Sequence, residues 1–396
     1  MKTCLLIVER DFLRRHVGVR RVILQCWREL ERRGYRVDLA APDAGRLRLG
    51  QFSLVRILAS LSNDRSDAPQ WTSINRRVRP SRFPKVVHGR WTTRAAELDD
   101  YDLTVVTNPW LCRSGLPNGR ISAAIVYDMV PNMIACGALD FGRPLDTYDF
   151  AYAHDVGYQL YLKRAEKILC ISESTRSDFI DLYRCDTATR DRIEVFLPYS
   201  TVVAPAPKRR PPVNERARLL MVNVLDPRKN FDGIRNALRA VGPEPPFEID
   251  IVGAERISLP EARRFLEELA DAGRSVRWYR QASDACLARL YSNADLLVFP
   301  SLYEGLGLPI LEAQNYGVPV ICSNLSSCPE VNMNSALCLD PEQHSLMGAT
   351  MADILMGRGA SPLQGEALQA KLVEYVALQP TFSAVLGLGL TPDGVS

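Results

Sequence analysis

Short apolar runs and amphipathic helical patterns alternate along most of the chain. A run at residues 4–8 is followed by apolar residues at helical spacing from 19 to 30, and Gly34 stands where a helix end would be capped. Further strand patterns lie at residues 35–40, 102–107, 123–127 and 167–171. Strands that alternate with helices are typical of a doubly wound parallel sheet, so the first half of the chain predicts a Rossmann-like domain.

A second alternation follows a proline-rich stretch at residues 204–212, which is typical of a stiff linker. Its predicted strands lie at residues 219–224, 248–252, 276–279, 296–299 and 318–322, and its predicted helices at 231–240, 260–272, 285–293 and 308–316. We therefore predict two Rossmann-like domains, residues 1–205 and 206–375. The tail at 376–396 is predicted to return to the first domain.

Composition supports two globular domains and excludes several classes of protein. The 396 residues exceed what one hydrophobic core usually holds, and 46% apolar with 24% charged residues is ordinary for a globular chain. No apolar run reaches the roughly 18 residues of a membrane span, and the short apolar N-terminus predicts a strand, not a signal peptide. The ten cysteines form no C-x-x-C pair, which argues against a zinc cluster and favours a reducing cytoplasm.

The net charge of +3 conceals a division along the chain. Residues 1–100 carry 21 Lys and Arg against 11 Asp and Glu, and the irregular region from 44 to 100 is rich in arginine. Such loops often recognise a substrate, so this basic quarter predicts contact with an anion or an anionic membrane surface. A solvated arginine-rich face is the alternative. Binding to anionic vesicles that weakens steeply with salt would separate the two.

Residues 295–320 are the most informative segment. They read as a buried strand, a glycine loop and a helix with proline in its first turn. Gly305 and Gly307 allow a ligand to approach the backbone, and N–H groups at a helix start favour a phosphate. Glu304 and Glu312 would face one crevice, where their carboxylates accept hydrogen bonds from a sugar and a ribose on either side of a diphosphate. Carboxylates that only complement the helix dipole are the alternative.

The same segment resembles the E-x7-E signature of family 4 glycosyltransferases, which are retaining nucleotide-sugar enzymes of GT-B fold. Other stretches resemble this family in the same order: Tyr-Asp-Met-Val-Pro at 127–131, Ala-Glu-Lys-Ile at 165–168, Ser-Glu-Ser at 172–174, Asp-Pro-Arg-Lys-Asn at 226–230, Leu-Tyr-Ser-Asn-Ala-Asp at 290–295 and Pro-Glu-Val at 329–331. The resemblance implies two doubly wound parallel-sheet domains that face a cleft. The second would bind the donor, and the first the acceptor.

The resemblance also implies a role for each donor-site residue. Glu312 would hold the ribose and Glu304 the donor sugar, while Lys229, together with Arg228, would neutralise the departing diphosphate. The backbone near the sugar and phosphates would come from Gly305, Leu306, Gly307 and Leu308. No metal and no cofactor is expected, because Lys229 and the amides at the helix start would supply the positive charge.

The acceptor side departs from the family pattern at two places. Many members have a His before the Asp of the turn at 127–131, whereas this chain has Tyr127, whose hydroxyl is predicted to contact the acceptor. Asp128 then becomes a candidate catalytic residue beside Glu304 and Lys229, with a turn cap as its alternative role. The family's glycine-rich N-terminal loop is reduced to Gly18, which we assign to the acceptor site.

Two arginines follow that glycine in a way that ordinary helix chemistry disfavours. Arg20 and Arg21 lie in the first turn of the predicted helix, where positive charge opposes the helix dipole. A bound anion would relieve this conflict, and so would solvent.

We therefore expect a retaining, metal-independent hexosyltransferase of bacterial polysaccharide synthesis. It would transfer a sugar, with mannose from GDP-mannose favoured, to a glycan or a lipid-linked acceptor, and would not bind nucleic acid. We expect it in the cytoplasm, peripheral at the inner face of the cell membrane. A UDP-sugar or another GDP-sugar as donor, a non-catalytic subunit that binds a partner enzyme, and phosphorolysis or epimerisation on the same fold remain alternatives.

Overall fold

The computed structural model describes residues 2–9, 12, 17–43, 46–50, 71–72, 98–114, 116, 118–143, 148–199, 216–241, 246–358 and 361–388. Its strands are β1 (Thr3–Ile7), β2 (Arg36–Asp43), β3 (Arg46–Gly50), β4 (Trp71–Thr72), β5 (Leu103–Val106), β6 (Ile121–Val126), β7 (Ala165–Cys170), β8 (Ile193–Val195), β9 (Ala217–Val222), β10 (Phe247–Val252), β11 (Ser275–Tyr279), β12 (Leu296–Phe299), β13 (Val320–Ser323) and β14 (Cys338–Leu339). Its helices are α1 (Val17–Arg32), α2 (Val130–Ala135), α3 (Tyr148–Arg164), α4 (Glu173–Tyr183), α5 (Thr187–Arg190), α6 (Phe231–Val241), α7 (Leu259–Asp271), α8 (Asp284–Asn293), α9 (Leu308–Asn315), α10 (Cys328–Val331), α11 (His344–Met356), α12 (Gly365–Leu378) and α13 (Phe382–Val385).

The first sheet has the strand order β3-β2-β1-β5-β6-β7-β8. Its strands run parallel except for the edge strand β3, which pairs antiparallel with β2. Helices cover both faces, so a central strand is buried on both sides, and β6 is buried at every position. This is the doubly wound arrangement predicted for the first half of the chain.

The second sheet has the strand order β14-β13-β12-β9-β10-β11-β4. It is also parallel except at one edge, where β4 pairs antiparallel with β11. Its strands β9 to β14 come from the second half of the chain, whereas β4 comes from the first. The region from 44 to 100 therefore supplies an edge strand to each sheet, which the sequence did not predict because β4 has only two residues and β3, although its arginines and leucines alternate, is short and lies in an otherwise irregular region.

The end of the described chain returns to the first sheet. After α12, the carbonyl oxygen of Pro380 accepts a hydrogen bond from the Leu197 amide at 2.9 Å. In α13, the Ser383 amide donates to a carboxylate oxygen of Glu29 on α1, also at 2.9 Å. The linker at 204–212 and the last eight residues lie outside the described residues, so the exact domain limits stay a prediction.

Within the ranges given above, no helix combines the length and the apolar character that crossing a membrane requires.

Candidate active site

The candidate site residues follow strands of both sheets. Asp128 comes directly after β6, Lys229 lies in the turn after β9, and Glu304 lies in the loop after β12. In open parallel sheets, ligands bind at the carboxyl ends of the strands, where such loops gather. The loops of the two sheets contact each other at this edge, so the site lies between the domains.

Gly305, in the loop after β12, lies against the backbone of the turn after β6 in the other domain. A Cβ atom added to this glycine would lie 2.0 Å from the carbonyl oxygen of Tyr127, a distance that no side chain can accommodate. The hydroxyl of Thr175 donates to the carbonyl oxygen of Gly305 at 3.1 Å. Glycine is therefore required here because two backbones from different domains touch.

Lys229 and Glu304 form an ion pair in the cleft. Their side chains are only 14% and 13% exposed, and the Lys229 ammonium lies 5.0 Å from the centre of the Phe299 ring. The turn that carries Lys229 is a single 3-10 helix, Pro227–Lys229, which begins at the capping residue Asp226. A cation with little exposure and one carboxylate partner is suited to bind a second anion.

The backbone of Glu304 is held on both sides by serines. Its amide donates to the Ser326 hydroxyl at 2.9 Å, and its carbonyl oxygen accepts from the Ser327 hydroxyl at 3.0 Å. The same loop also contacts the turn after β9, since the Leu302 amide donates to the carbonyl oxygen of Arg228 at 2.9 Å. These bonds hold the backbone of the loop that carries Glu304 against the turn that carries Lys229.

Asp128 joins this group from the opposite wall. Its carboxylate accepts a hydrogen bond from the Val130 amide at 3.1 Å, which is the turn-cap role given above as the alternative. Burial raises the pKa of the Asp128 carboxyl, although the Val130 amide and the positive charges of Arg228 and Lys229 oppose the rise. A carboxyl that faces two cations and still has a raised pKa is a frequent feature of functional sites.

Arg228 forms an ion pair with Asp226, its neighbour in the same turn. Its guanidinium donates to the carboxylate of Asp226 at 2.7 Å, and Asp226 also caps the turn through the Arg228 amide at 3.0 Å. Burial lowers the pKa of Arg228, but the hydrogen bond to Asp226 and the negative charges of Asp226, Asp128 and Glu304 together raise it above its usual value. Of the two predicted cations, Lys229 is thus the one whose charge faces a carboxylate of the glycine loop.

Glu312 lies apart from the Lys229 group, further along α9. One of its carboxylate oxygens forms an ion pair with Arg21 of α1, and the other accepts from the Tyr291 hydroxyl at 2.9 Å. The helix begins at Gly307, which has a φ of 91° and offers no side-chain cap. The first turn of α9 therefore has the uncapped start that anions favour.

Three predicted site residues have placements that limit their roles. The Tyr127 ring is buried in the core, its hydroxyl has no hydrogen-bond partner among the described contacts, and burial raises its pKa. This placement argues against contact between that hydroxyl and an acceptor. The Leu306 side chain is also in the core, so only its backbone can reach a ligand. Gly18 faces the glycine loop, since an added Cβ would lie 3.9 Å from Leu308.

The structure adds contacts between the domains that the sequence did not predict. The carboxylate of Glu330 accepts hydrogen bonds from the amides of Ser174 at 2.7 Å and Glu173 at 3.0 Å, at the start of α4. The Tyr303 hydroxyl donates to the carboxylate of Asp178. Glu173, Ser174 and Glu330 lie in stretches that resemble family motifs, but a motif does not state which distant residue it contacts.

Within the described residues, no group of three or more His, Cys, Asp and Glu side chains is placed to hold a metal ion.

Asp128→Asn is expected to raise the melting temperature at pH 7.5. Because the folded state raises the pKa of this carboxyl, its ionised form destabilises the fold, and the neutral amide removes that effect. The gain should shrink as the pH falls toward about 4, where the carboxyl is increasingly protonated in both states. Thermal unfolding at several pH values measures this, with Glu267→Gln on the exposed face of α7 as the control. A pH-independent difference would contradict the assignment.

Known proteins resemble mainly the second domain in sequence. Residues 205–371 match the family model described as Glycosyl transferases group 1. O-antigen chain mannosyltransferase B of Escherichia coli is 31% identical over 199 residues, which are 48% of this chain and 51% of that protein. The serotype-specific mannosyltransferase WbdA of Escherichia coli is 33% identical over 116 residues, 28% of this chain and 14% of that protein. The matches thus span about half or less of these curated relatives.

Solved structures extend the likeness to both domains. A glycosyltransferase from Rickettsia africae superposes with a TM-score of 0.56 at 13% identity, covering 98% of this chain and 96% of that one. WaaG, a glycosyltransferase involved in lipopolysaccharide biosynthesis, gives a TM-score of 0.56 at 14% identity, covering 96% and 97%. At these identities the likeness shows the fold, which is the predicted GT-B arrangement of two Rossmann-like sheets.

Proposed function

Because the chain carries a glycosyl transferases group 1 domain at residues 205–371 within a GT-B fold, we propose that it is a glycosyltransferase that uses a nucleotide-sugar donor. The observation that carries this proposal is the group formed by Asp128, Lys229 and Glu304, with Glu312 on the adjoining helix. It offers one cation for a diphosphate and carboxylates for hydroxyl groups. The site lies between two domains that could exclude water from the donor.

In the proposed reaction, an acceptor hydroxyl oxygen attacks the anomeric carbon of the donor sugar. The bond between that carbon and the diphosphate oxygen breaks, and negative charge develops on the departing diphosphate. Lys229 and the N–H groups at the start of α9 stabilise this charge, so the proposal needs no metal ion. Glu304 would accept hydrogen bonds from the donor sugar. The hydroxyls of Ser326 and Ser327 hold the Glu304 backbone in place.

We further propose that the reaction retains the anomeric configuration. The departing phosphate would take the proton of the attacking hydroxyl on the same face of the sugar, so no covalent enzyme intermediate forms. Asp128 supports this route as a partly buried carboxyl in the cleft, where it would orient a hydroxyl of the acceptor or the donor. Its hydrogen bond to the Val130 amide fixes it in the turn after β6.

Mannose is the sugar that the relatives favour. Two of the relatives that match are named as mannosyltransferases, one of the O-antigen chain and one serotype-specific. We therefore propose GDP-mannose as the donor and a growing polysaccharide or its lipid-linked precursor as the acceptor. Contact with an anionic membrane through the basic first quarter is part of this proposal, although most of the arginine-rich region from 44 to 100 lies outside the described residues.

A panel of nucleotide sugars tests the function directly. We expect GDP-mannose to raise the melting temperature and to support transfer to a mannan oligosaccharide, whereas Glu312→Ala should lower kcat/KM at least about tenfold because the ribose contact is lost. Glu267→Ala, on the exposed face of α7, is the matched control. Stabilisation by a UDP-sugar alone would reassign the donor. Products that form without any acceptor would indicate a different reaction, and no stabilisation by any nucleotide would indicate a non-catalytic subunit.

A further inference from the structure

The two arginines at the start of α1 have carboxylate partners in the opposite domain. Arg21 forms an ion pair with Glu312 and lies 3.6 Å from the carboxylate of Asp284. Arg20 lies 3.4 Å from the same Asp284 carboxylate. In the structure α1 begins at Val17, so these arginines lie near the end of its first turn, where positive charge still opposes the helix dipole and the carboxylates of the other domain compensate it. The unfavourable sequence pattern is therefore explained by a contact across the cleft.

The two arginine side chains differ in their exposure to solvent. The Arg20 side chain is 3% exposed, whereas the Arg21 side chain is 27% exposed. Gly18, one turn before Arg21, faces Leu308 at the start of α9. Arg21 and Gly18 thus belong to one helix that faces α9, and the start of α9 is where the proposed function places the diphosphate.

Both carboxylate oxygens of Glu312 have partners in the structure. Arg21 occupies one and the Tyr291 hydroxyl the other. Each carboxylate oxygen can accept more than one hydrogen bond, but a ribose diol that approaches Glu312 would compete with Arg21 for it. The diphosphate attached to that ribose would then be a second anion for the Arg21 guanidinium. A guanidinium group binds phosphate oxygens in the same bidentate geometry in which it binds a carboxylate.

On the basis of the proposed function, we propose that Arg21 is a donor-binding residue supplied by the acceptor-side domain. It neutralises Glu312 and transfers to the diphosphate when the ribose binds to Glu312. Arg21 thereby replaces its contact with Glu312 by a contact with the diphosphate. The two domains stay connected through Arg21 while the donor binds. Arg20, which is almost fully buried beside Asp284, holds the helix during this exchange.

The test compares ligands with and without phosphates. For Arg21→Gln we expect the Kd of GDP to rise at least about tenfold, as for loss of a charge-assisted hydrogen bond. The Kd of guanosine should be unchanged or lower, because Glu312 is then open to the ribose. Arg21→Lys should recover part of the GDP affinity. Arg32→Gln removes the same charge from the exposed last turn of α1 and should change neither Kd.

Isothermal titration of the full chain with GDP, guanosine, UDP and uridine separates the outcomes. Unchanged GDP affinity in Arg21→Gln would overturn the proposal, and so would an equal loss for GDP and guanosine, since Arg21 would then act only through the arrangement of the domains. Wild-type protein that binds none of the four ligands would overturn the proposed function as well. Wild-type protein that binds GDP while Arg21→Gln binds it equally well would leave the proposed function standing and remove only the role of Arg21.

Discussion

Lys229→Met is expected to lower kcat/KM for sugar transfer about a hundredfold or more. The ammonium is the cation that faces Glu304 in the glycine loop, and the proposed reaction places it against the charge that develops on the departing diphosphate. Removing one preorganised group that stabilises such charge commonly costs 10²–10³ in rate. Steady-state kinetics with the donor identified by the nucleotide panel measures the loss.

The design of the variants separates chemistry from folding. Lys229→Met leaves the Glu304 carboxylate without its cation in a place where it is only 13% exposed, so the melting temperature should fall as well. The double variant Lys229→Met with Glu304→Gln should regain the melting temperature but not the activity. Lys163→Met, at the exposed end of α3, controls for loss of a lysine elsewhere. Transfer at the wild-type rate by Lys229→Met would remove this residue from the mechanism.

Gly305→Ala is expected to lower both the stability and the activity of the protein. Its Cβ would lie 2.0 Å from the Tyr127 carbonyl oxygen, and the obstacle is backbone, which cannot turn aside as a side chain can. The two walls of the cleft must separate or the loop must shift. Overpacking of this kind costs about 1–3 kcal/mol of unfolding free energy. A displacement near 1 Å of the loop that carries Glu304 would lower transfer about a hundredfold.

Thermal unfolding and kinetics together distinguish the two effects of this substitution. Gly18→Ala is the matched control for stability, because its added Cβ would be 3.9 Å from Leu308 and its backbone is already helical. We expect a melting temperature lower by several degrees for Gly305→Ala and none lost for Gly18→Ala. Gly305→Ala protein with wild-type stability and activity would show that the domains do not touch at this point in solution.

Local patterns in the sequence predict the fold well because parallel strands are buried on both faces. The strand at Leu296–Phe299 and the helix at Phe231–Val241 lie within one residue of their predicted limits. Such elements are specified by a run of apolar residues or by helical spacing. Strand β4 consists of two residues and exists only through its pairing with β11, so nothing local identifies it.

The candidate site was predictable as a set of residues but not as a set of contacts. Lys229 and Glu304 lie in motifs whose chemistry can be inferred, and the structure brings them together. The contact of Arg21 with Glu312 joins residues far apart in the chain, and no spacing rule relates them. For Tyr127 the sequence could not give the placement of the side chain, because a tyrosine suits both a polar cleft and an apolar core. In the structure it packs in the core.

The return of the chain at Pro380 affects how domains can be exchanged between chains of this fold. Helix α12 packs on α9, which carries Glu312, and α13 packs on α1, which carries Arg21. One short segment thus belongs to the donor wall by its first helix and to the acceptor wall by its second. A chimaera that exchanges the donor domain between relatives at a single crossover would inherit a foreign α13 against its own α1. Two crossovers, one in the linker at 204–212 and one near Pro380, keep each wall with its own helices.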